Sequence, residues 1–253
     1  MNRQAQAVVL LLLGGAVLKA TLSDIYLRYV KEGLRPFLVA AGAVLVVTAV
    51  MTLVHDLRRP AAAGAHGGDG DDGHGHGGDG DDGHGHGGHG PAVGWLLVLP
   101  VVGLLLIAPP ALGAFAAGQA GTALSTQDVS DYPPLPPGDP AKISVLEYAS
   151  RAVYDNGASI GDRTVRMSGF VITGAGGEPI LARMIMSCCA ADGRPVKVGM
   201  TGNAPVGVPA DTWVEVTGRY TDRTGTDPVN GERIPYVDVR DWIQIDPPRN
   251  QYQ

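Results

Sequence analysis

Three long apolar runs near the start of this 253-residue chain constrain its fold more than any other feature. They cover about residues 5–22, 36–54 and 92–117. Each approaches or exceeds the ~20 residues that carry a helix across a ~30 Å hydrocarbon core. The second and third contain no charged residue. The first contains only Lys19, near its end, where a long side chain can reach the headgroups. Inside lipid the backbone polar groups must be satisfied within the segment, so each run is expected to be a helix. Arg3 and the Val8–Leu13 stretch resemble the opening of a cleaved signal peptide. No clean small-x-small cleavage site follows, however, and a second apolar run arrives almost at once, so a retained helix is expected.

Orientation follows from Lys and Arg near the span ends. Arg58 and Arg59 precede the third run, and nothing basic follows it until Lys142. That places the 55–91 loop inside the cell and the C-terminal domain outside, in a multi-pass cell-membrane protein. Arg28, Lys31 and Arg35 in the first loop point the other way, so a cytoplasmic C-terminal domain is the alternative. Pro100, Pro109 and Pro110 interrupt the third run. Proline removes a helical hydrogen bond, so the Pro109–Pro110 pair is expected to end or kink that helix. Residues 118–141 include Asp131-Tyr-Pro-Pro-Leu-Pro-Pro-Gly138, a stiff, extended linker expected to space the following domain off the membrane.

Residues 58–91 form a loop of a different kind. GGDGDDGHGH at 67–76 is repeated unchanged at 77–86. Without large apolar residues, and with glycine throughout, such a loop is expected to be disordered when unliganded. His66, His74, His76, His84, His86 and His89 offer imidazoles beside flexible aspartates, a donor set that suits Zn²⁺, Ni²⁺ or Cu²⁺. A ligand-free low-complexity linker is the plainer alternative. A calcium-binding β-roll is excluded, because the period is ten, only two copies exist, and histidine fills the apolar position.

Residues 142–253 have the charge density of a soluble domain. Ser144-x-x-Glu147 is a capping-box pattern, which predicts a helix over about 144–155. Strand-like runs follow at Thr164–Thr173, Ile180–Cys188, Pro195–Thr201, Thr212–Tyr220 and Tyr236–Ile245. Val237, Val239 and Trp242 suggest a bulge or bend in the last of these. Five short strands with few helical signals predict a small barrel, OB-like in first choice. The expected fold class is thus an α+β membrane protein: three transmembrane helices, then a small all-β OB-like barrel with one short N-terminal helix.

A net charge of −6, without a basic strand bearing aromatics, argues against nucleic acid as a partner. No histidine lies beyond His89, so neither a Ser-His-Asp nor a Cys-His catalytic site fits within the domain. Cys188 and Cys189 are the two cysteines of the chain. Adjacent residues of a strand point to opposite faces, so both thiols on one metal require a turn. Ala190, Ala191 and Gly193 make a turn feasible, and Asp192 stands ready as a third ligand. A reactive vicinal disulfide and buried structural thiols are the alternatives.

The chain resembles the YcgQ-type bacterial membrane proteins over nearly its whole length. The resemblance is carried by Pro100, Gly103 and Pro109-Pro110-x-Leu112, and by Trp213-Val-x-Val-x-Gly218 and Pro235-Tyr-Val. Its most specific element is Arg183-Met-Ile-Met-Ser-Cys188-Cys189-Ala-Ala-Asp192. Gly193 departs from the small non-glycine residue found in many members. The resemblance implies a multi-span permease as partner and no catalytic reaction. The expected function is therefore an accessory subunit of a membrane permease, not an enzyme, that handles a divalent transition metal such as zinc. Three spans without an internal carboxylate or histidine are too few for an ion pathway, which assigns the pathway to the partner. A membrane-anchored thiol redox protein and an envelope assembly protein are the alternatives.

Overall fold

A computed structural model describes residues 3–58, 110–124 and 132–253. These fall into two compact units, one holding residues up to Leu22 together with those from Pro36, the other holding Ser23–Arg35 with the residues from Pro110 onward.

The first unit is a pair of helices, α1 (Arg3–Leu22) and α2 (Arg35–Arg58). They meet at two glycines. A Cβ on Gly14 would stand 3.0 Å from the Gly42 carbonyl oxygen, and one on Gly42 would stand 2.8 Å from Leu18 Cγ. Small residues at such a crossing let two backbones approach closely, a packing mode suited to lipid. The outer faces are greasy: Phe37, Val44, Met51 and Leu57 are all exposed. A water-soluble helix pair would turn such side chains inward.

Three membrane spans were expected; among the described residues one helix, Glu32–Arg58, is long and apolar enough to cross a membrane. The first run does form α1, whose apolar part, Gln6–Leu22, is a shorter apolar helix. For the third run, residues 92–109 lie outside the described residues. Its end is not a continuous helix. The chain is irregular at 110–113, as the Pro109–Pro110 pair leads one to expect, and then forms a six-residue helix, α3 (Ala114–Gln119).

The second unit is a closed five-stranded β-barrel. Its strands are β2 (Val165–Thr173), β3 (Pro179–Ile185), β4 (Arg194–Gly202), β5 (Trp213–Thr226) and β6 (Arg233–Gln244). A two-residue β1 (Ala141–Lys142) adds to β2 in parallel. Around the ring β2 pairs with β3, β3 with β4, β4 with β6 in parallel, β6 with β5, and β5 back to β2. Strand number and closure fit the OB-like expectation. The suspected irregularity in β6 is a bulge: Asp241 pairs with Thr217 and Val239 with Gly218, leaving Arg240 as the extra residue.

Alternation explains the packing. Val165, Met167 and Val171 of β2 turn into the barrel with Val196 and Val198 of β4 and Val214 of β5. Helix α4 (Val145–Tyr154) packs against β3, β4 and β6, and adds Val145, Tyr148 and Ala149 to that core. Ser144 Oγ accepts from the Glu147 N–H at 2.9 Å. The reciprocal half of the capping box is replaced by an ion pair, because the Glu147 carboxylate meets Arg151 at 2.7 Å. Strands β2 and β3 are buried on their other face too. There Phe170, Ile172, Ile180, Met184 and Trp213 form a second cluster with Ala117 of α3 and Tyr252.

Segment 110–124 therefore belongs to this unit. It covers the second cluster and is then pinned along β4, where Ala123 N–H donates to the Pro195 carbonyl and Lys197 N–H to Thr122 Oγ1. Beneath it lies a buried ion pair, Lys197 Nζ to Asp227 Oδ2 at 2.8 Å. Residues 132–136 are extended and lie on the unit. Leu135 enters the core, Tyr132 stacks under the Arg151 guanidinium at 5.0 Å, and the Pro133 carbonyl accepts from Arg151.

Candidate functional site

Strand β3 ends at Ile185, three residues earlier than its apolar run suggests. The chain then bends, and Ala190–Asp192 make one turn of 3₁₀ helix. Small side chains at Ala190 and Ala191 permit this tight turn. Asp192 ties it together: Oδ1 accepts from the Ser187 N–H at 2.9 Å and Oδ2 from the Cys188 N–H at 2.8 Å. Gly193 follows under Leu112, where an added Cβ would meet Leu112 Cδ1 at 2.4 Å.

The turn brings both thiols to one side. Cys188 Sγ and Cys189 Sγ are 3.6 Å apart as free thiols. One donor atom from each of Cys188, Cys189 and Asp192 lies within 4.8 Å of the others. Cys188 is exposed; Cys189 and Asp192 are partly covered. A hydrogen bond with Asp192, then one with Cys189, pushes the Cys188 thiol up to about 11. The Cys188 thiol and backbone N–H in turn hold the Asp192 carboxyl below its usual range.

The donor set fits a thiophilic divalent ion. Two thiolates at about 2.3 Å from a tetrahedral zinc stand about 3.8 Å apart, close to the spacing found here. Among the described residues, three donors would fill three of the four positions of a tetrahedral zinc. The six histidines His66, His74, His76, His84, His86 and His89 lie outside the described residues. Among the described residues no further Cys, His, Asp or Glu joins the group.

Sequence reasoning missed what flanks the turn. Segment 23–35 docks beside it: Cys189 bridges to Val30, Lys31 N–H donates to the Cys188 carbonyl at 3.0 Å, and Ala190 N–H donates to the Tyr29 carbonyl at 2.7 Å. The signal was present, since Tyr26 and Leu27 are large apolar side chains in a short connection, and both are buried. The C-terminal residues were missed as well. Tyr252 Oη donates to the Arg28 carbonyl at 2.8 Å and accepts from the Leu112 N–H at 3.0 Å. Arg183, which opens the double-cysteine motif, is buried with its guanidinium 4.7 Å over the Trp213 ring and donates to the Asn250 carbonyl. Burial lowers it to about 10. Its place is under the C-terminal segment, and it is not one of the three clustered donors.

No curated protein and no solved structure matches this chain. One family model does, over the residues that hold α4, the whole barrel and the cysteine turn. Residues 146–253 match the model of the DUF1980 C-terminal domain.

Proposed function

We propose that the protein is a membrane-anchored accessory subunit of a permease, and that it binds a divalent transition metal, zinc by preference, at Cys188 and Cys189 with Asp192. The observation that carries the metal reading is the spacing of the two sulfurs, 3.6 Å, with the Asp192 carboxylate in the same 4.8 Å group. An ion with two positive charges offsets the negative charge that the two thiols acquire on binding. The raised Cys188 thiol works against thiol exchange at neutral pH, because the thiolate is the attacking species.

The membrane part of the proposal rests on α2 and its exposed apolar face. No charged residue lies between Pro36 and Val54, so this helix offers no ion pathway of its own. The pathway is assigned to a multi-span partner, which the resemblance to YcgQ-type proteins suggests. In this scheme the barrel lies outside the cell and the chain crosses the lipid bilayer more than once. The histidine-rich loop gathers ions on the opposite side, and no catalytic reaction is involved.

The test is zinc binding by the full chain in detergent, by competition with a chromophoric chelator. Wild type is compared with the Cys188→Ser, Cys189→Ser double variant. The expected outcome is the loss of one zinc equivalent per chain in the variant. Equal stoichiometry in the two proteins rejects the cysteine site, whatever the histidines bind.

A further inference from the structure

The cysteine turn is not merely near segment 29–31; its backbone is hydrogen-bonded to it. A metal held by both sulfurs closes a chelate ring, and that ring contains the Cys188–Cys189 peptide. The carbonyl of this same peptide accepts from the Lys31 N–H at 3.0 Å. The next peptide is held by the same segment, where Ala190 N–H donates to the Tyr29 carbonyl at 2.7 Å. The peptide inside the ring is therefore hydrogen-bonded to backbone atoms of a distant part of the sequence.

That part has anchors of its own. Asp24 pairs with Arg249 at 2.7 Å, the Arg28 carbonyl is held by Tyr252, and Tyr26 and Leu27 are buried. Its two ends run on directly into α1 and α2, since α1 stops at Leu22 and α2 starts at Arg35. The segment is the sole covalent connection between those helices.

We infer that segment 29–31 reads the occupancy of the cysteine site: metal binding at Cys188 and Cys189 and docking of this segment stabilise one another. The inference rests on the proposed metal reading and adds its regulation. Binding free energies are reciprocal, so each event must strengthen the other by the same factor. An ion on the two sulfurs fixes the peptide plane that Lys31 bonds. Docking of 29–31 prepares the same plane for the ion. The occupied site thereby holds the loop between α1 and α2 in one position, and the empty site releases it more readily.

Lys31 makes the test clean. Its φ of −60° and ψ of 140° are those of an unstrained proline. Lys31→Pro thus deletes the N–H that bonds Cys188 and sets a ring carbon against the Cys188 carbonyl, which undocks the segment at this point, while Lys31→Ala removes the side chain and keeps the N–H. Zinc affinity is measured on the full chain in detergent, and the cysteine-dependent part is taken by difference from the Cys188→Ser, Cys189→Ser background. Lys31→Pro is expected to weaken it about fivefold or more, the lower end of ordinary coupling, and Lys31→Ala to leave it unchanged. In the reciprocal experiment, trypsin cleavage after Arg28 and Lys31 is followed by mass spectrometry. Zinc is expected to slow it by the same factor in wild type and to have no effect on the double serine variant. Cysteine-dependent zinc binding with unchanged affinity in Lys31→Pro and unchanged cleavage overturns the coupling alone. Absence of cysteine-dependent binding overturns the metal reading and the coupling with it.

Discussion

Asp192 serves two purposes at once, since its carboxylate both braces the turn and faces the thiols. Its two oxygens already accept from Ser187 and Cys188, and each retains a lone pair for an ion. Asp192→Asn keeps one acceptor and loses the charge, so a roughly 10–100-fold loss of zinc affinity is expected, the scale seen when a metal ligand loses its support. Chelator competition measures it, and an unchanged affinity removes Asp192 from the site. Proton release gives a second check. With the Cys188 thiol at about 11, zinc must displace its proton throughout the neutral range. The cysteine-dependent affinity should then rise about tenfold per pH unit between about pH 6 and 9 for this proton alone. A flat profile is incompatible with Cys188 as a ligand. At this scale much was legible. Two adjacent cysteines followed by Ala190, Ala191 and Gly193 announce a turn, and the turn is what brings the sulfurs together. The Lys31 bond to Cys188 was not legible, because local sequence carries no information about which distant backbone lies alongside a loop.

Among the elements, the strap at 110–124 depends on one buried ion pair. Lys197 and Asp227 are 5% and 0% exposed, and Asp227 also accepts from the Thr122 N–H. Removing one partner of a buried pair leaves an uncompensated charge and costs about 3–5 kcal/mol. Asp227→Asn is therefore expected to destabilise the barrel by an amount in that range, as read from denaturant unfolding. A loss below about 1 kcal/mol, the scale of an exposed pair, would show that water reaches Lys197. Burial alone would raise the Asp227 carboxyl, but hydrogen bonds from Lys197, Val229 and Thr122 outweigh it and hold the group below its ordinary 3.8. A depressed carboxyl stabilises the fold above its unfolded value. That contribution is complete at neutral pH and is lost as the pH falls below about 4. Acid should accordingly loosen wild type more than Asp227→Asn. The strands themselves were legible from Val and Ile alternation, which marks one buried face. Their outer ends were not. Strand β5 runs on to Thr226 through polar residues, with a second register shift between Tyr220 and Thr224, where no alternation exists to be read.

On the scale of the whole molecule, the helix pair and the barrel obey different packing rules. The barrel turns its branched side chains inward, whereas α1 and α2 turn small residues inward and leave large ones outside. Gly42→Leu should separate the pair, since even a Cβ there meets Leu18 at 2.8 Å. Faster amide exchange across residues 6–22 in detergent is the expected readout, and unchanged exchange would assign the pairing to other contacts. The outward face of α2 was plain from its uncharged run. The membership of segments 23–35 and 110–124 in the barrel's unit was hidden, because apolar residues that flank a span look like more of the span. This membership has a practical consequence. A soluble fragment cut at residue 142, where the charge density changes, would leave Phe170, Ile172, Met184 and Trp213 bare to water. Such a fragment should clump with its own copies, and a cut that retains Ala114 to Gln119 should not.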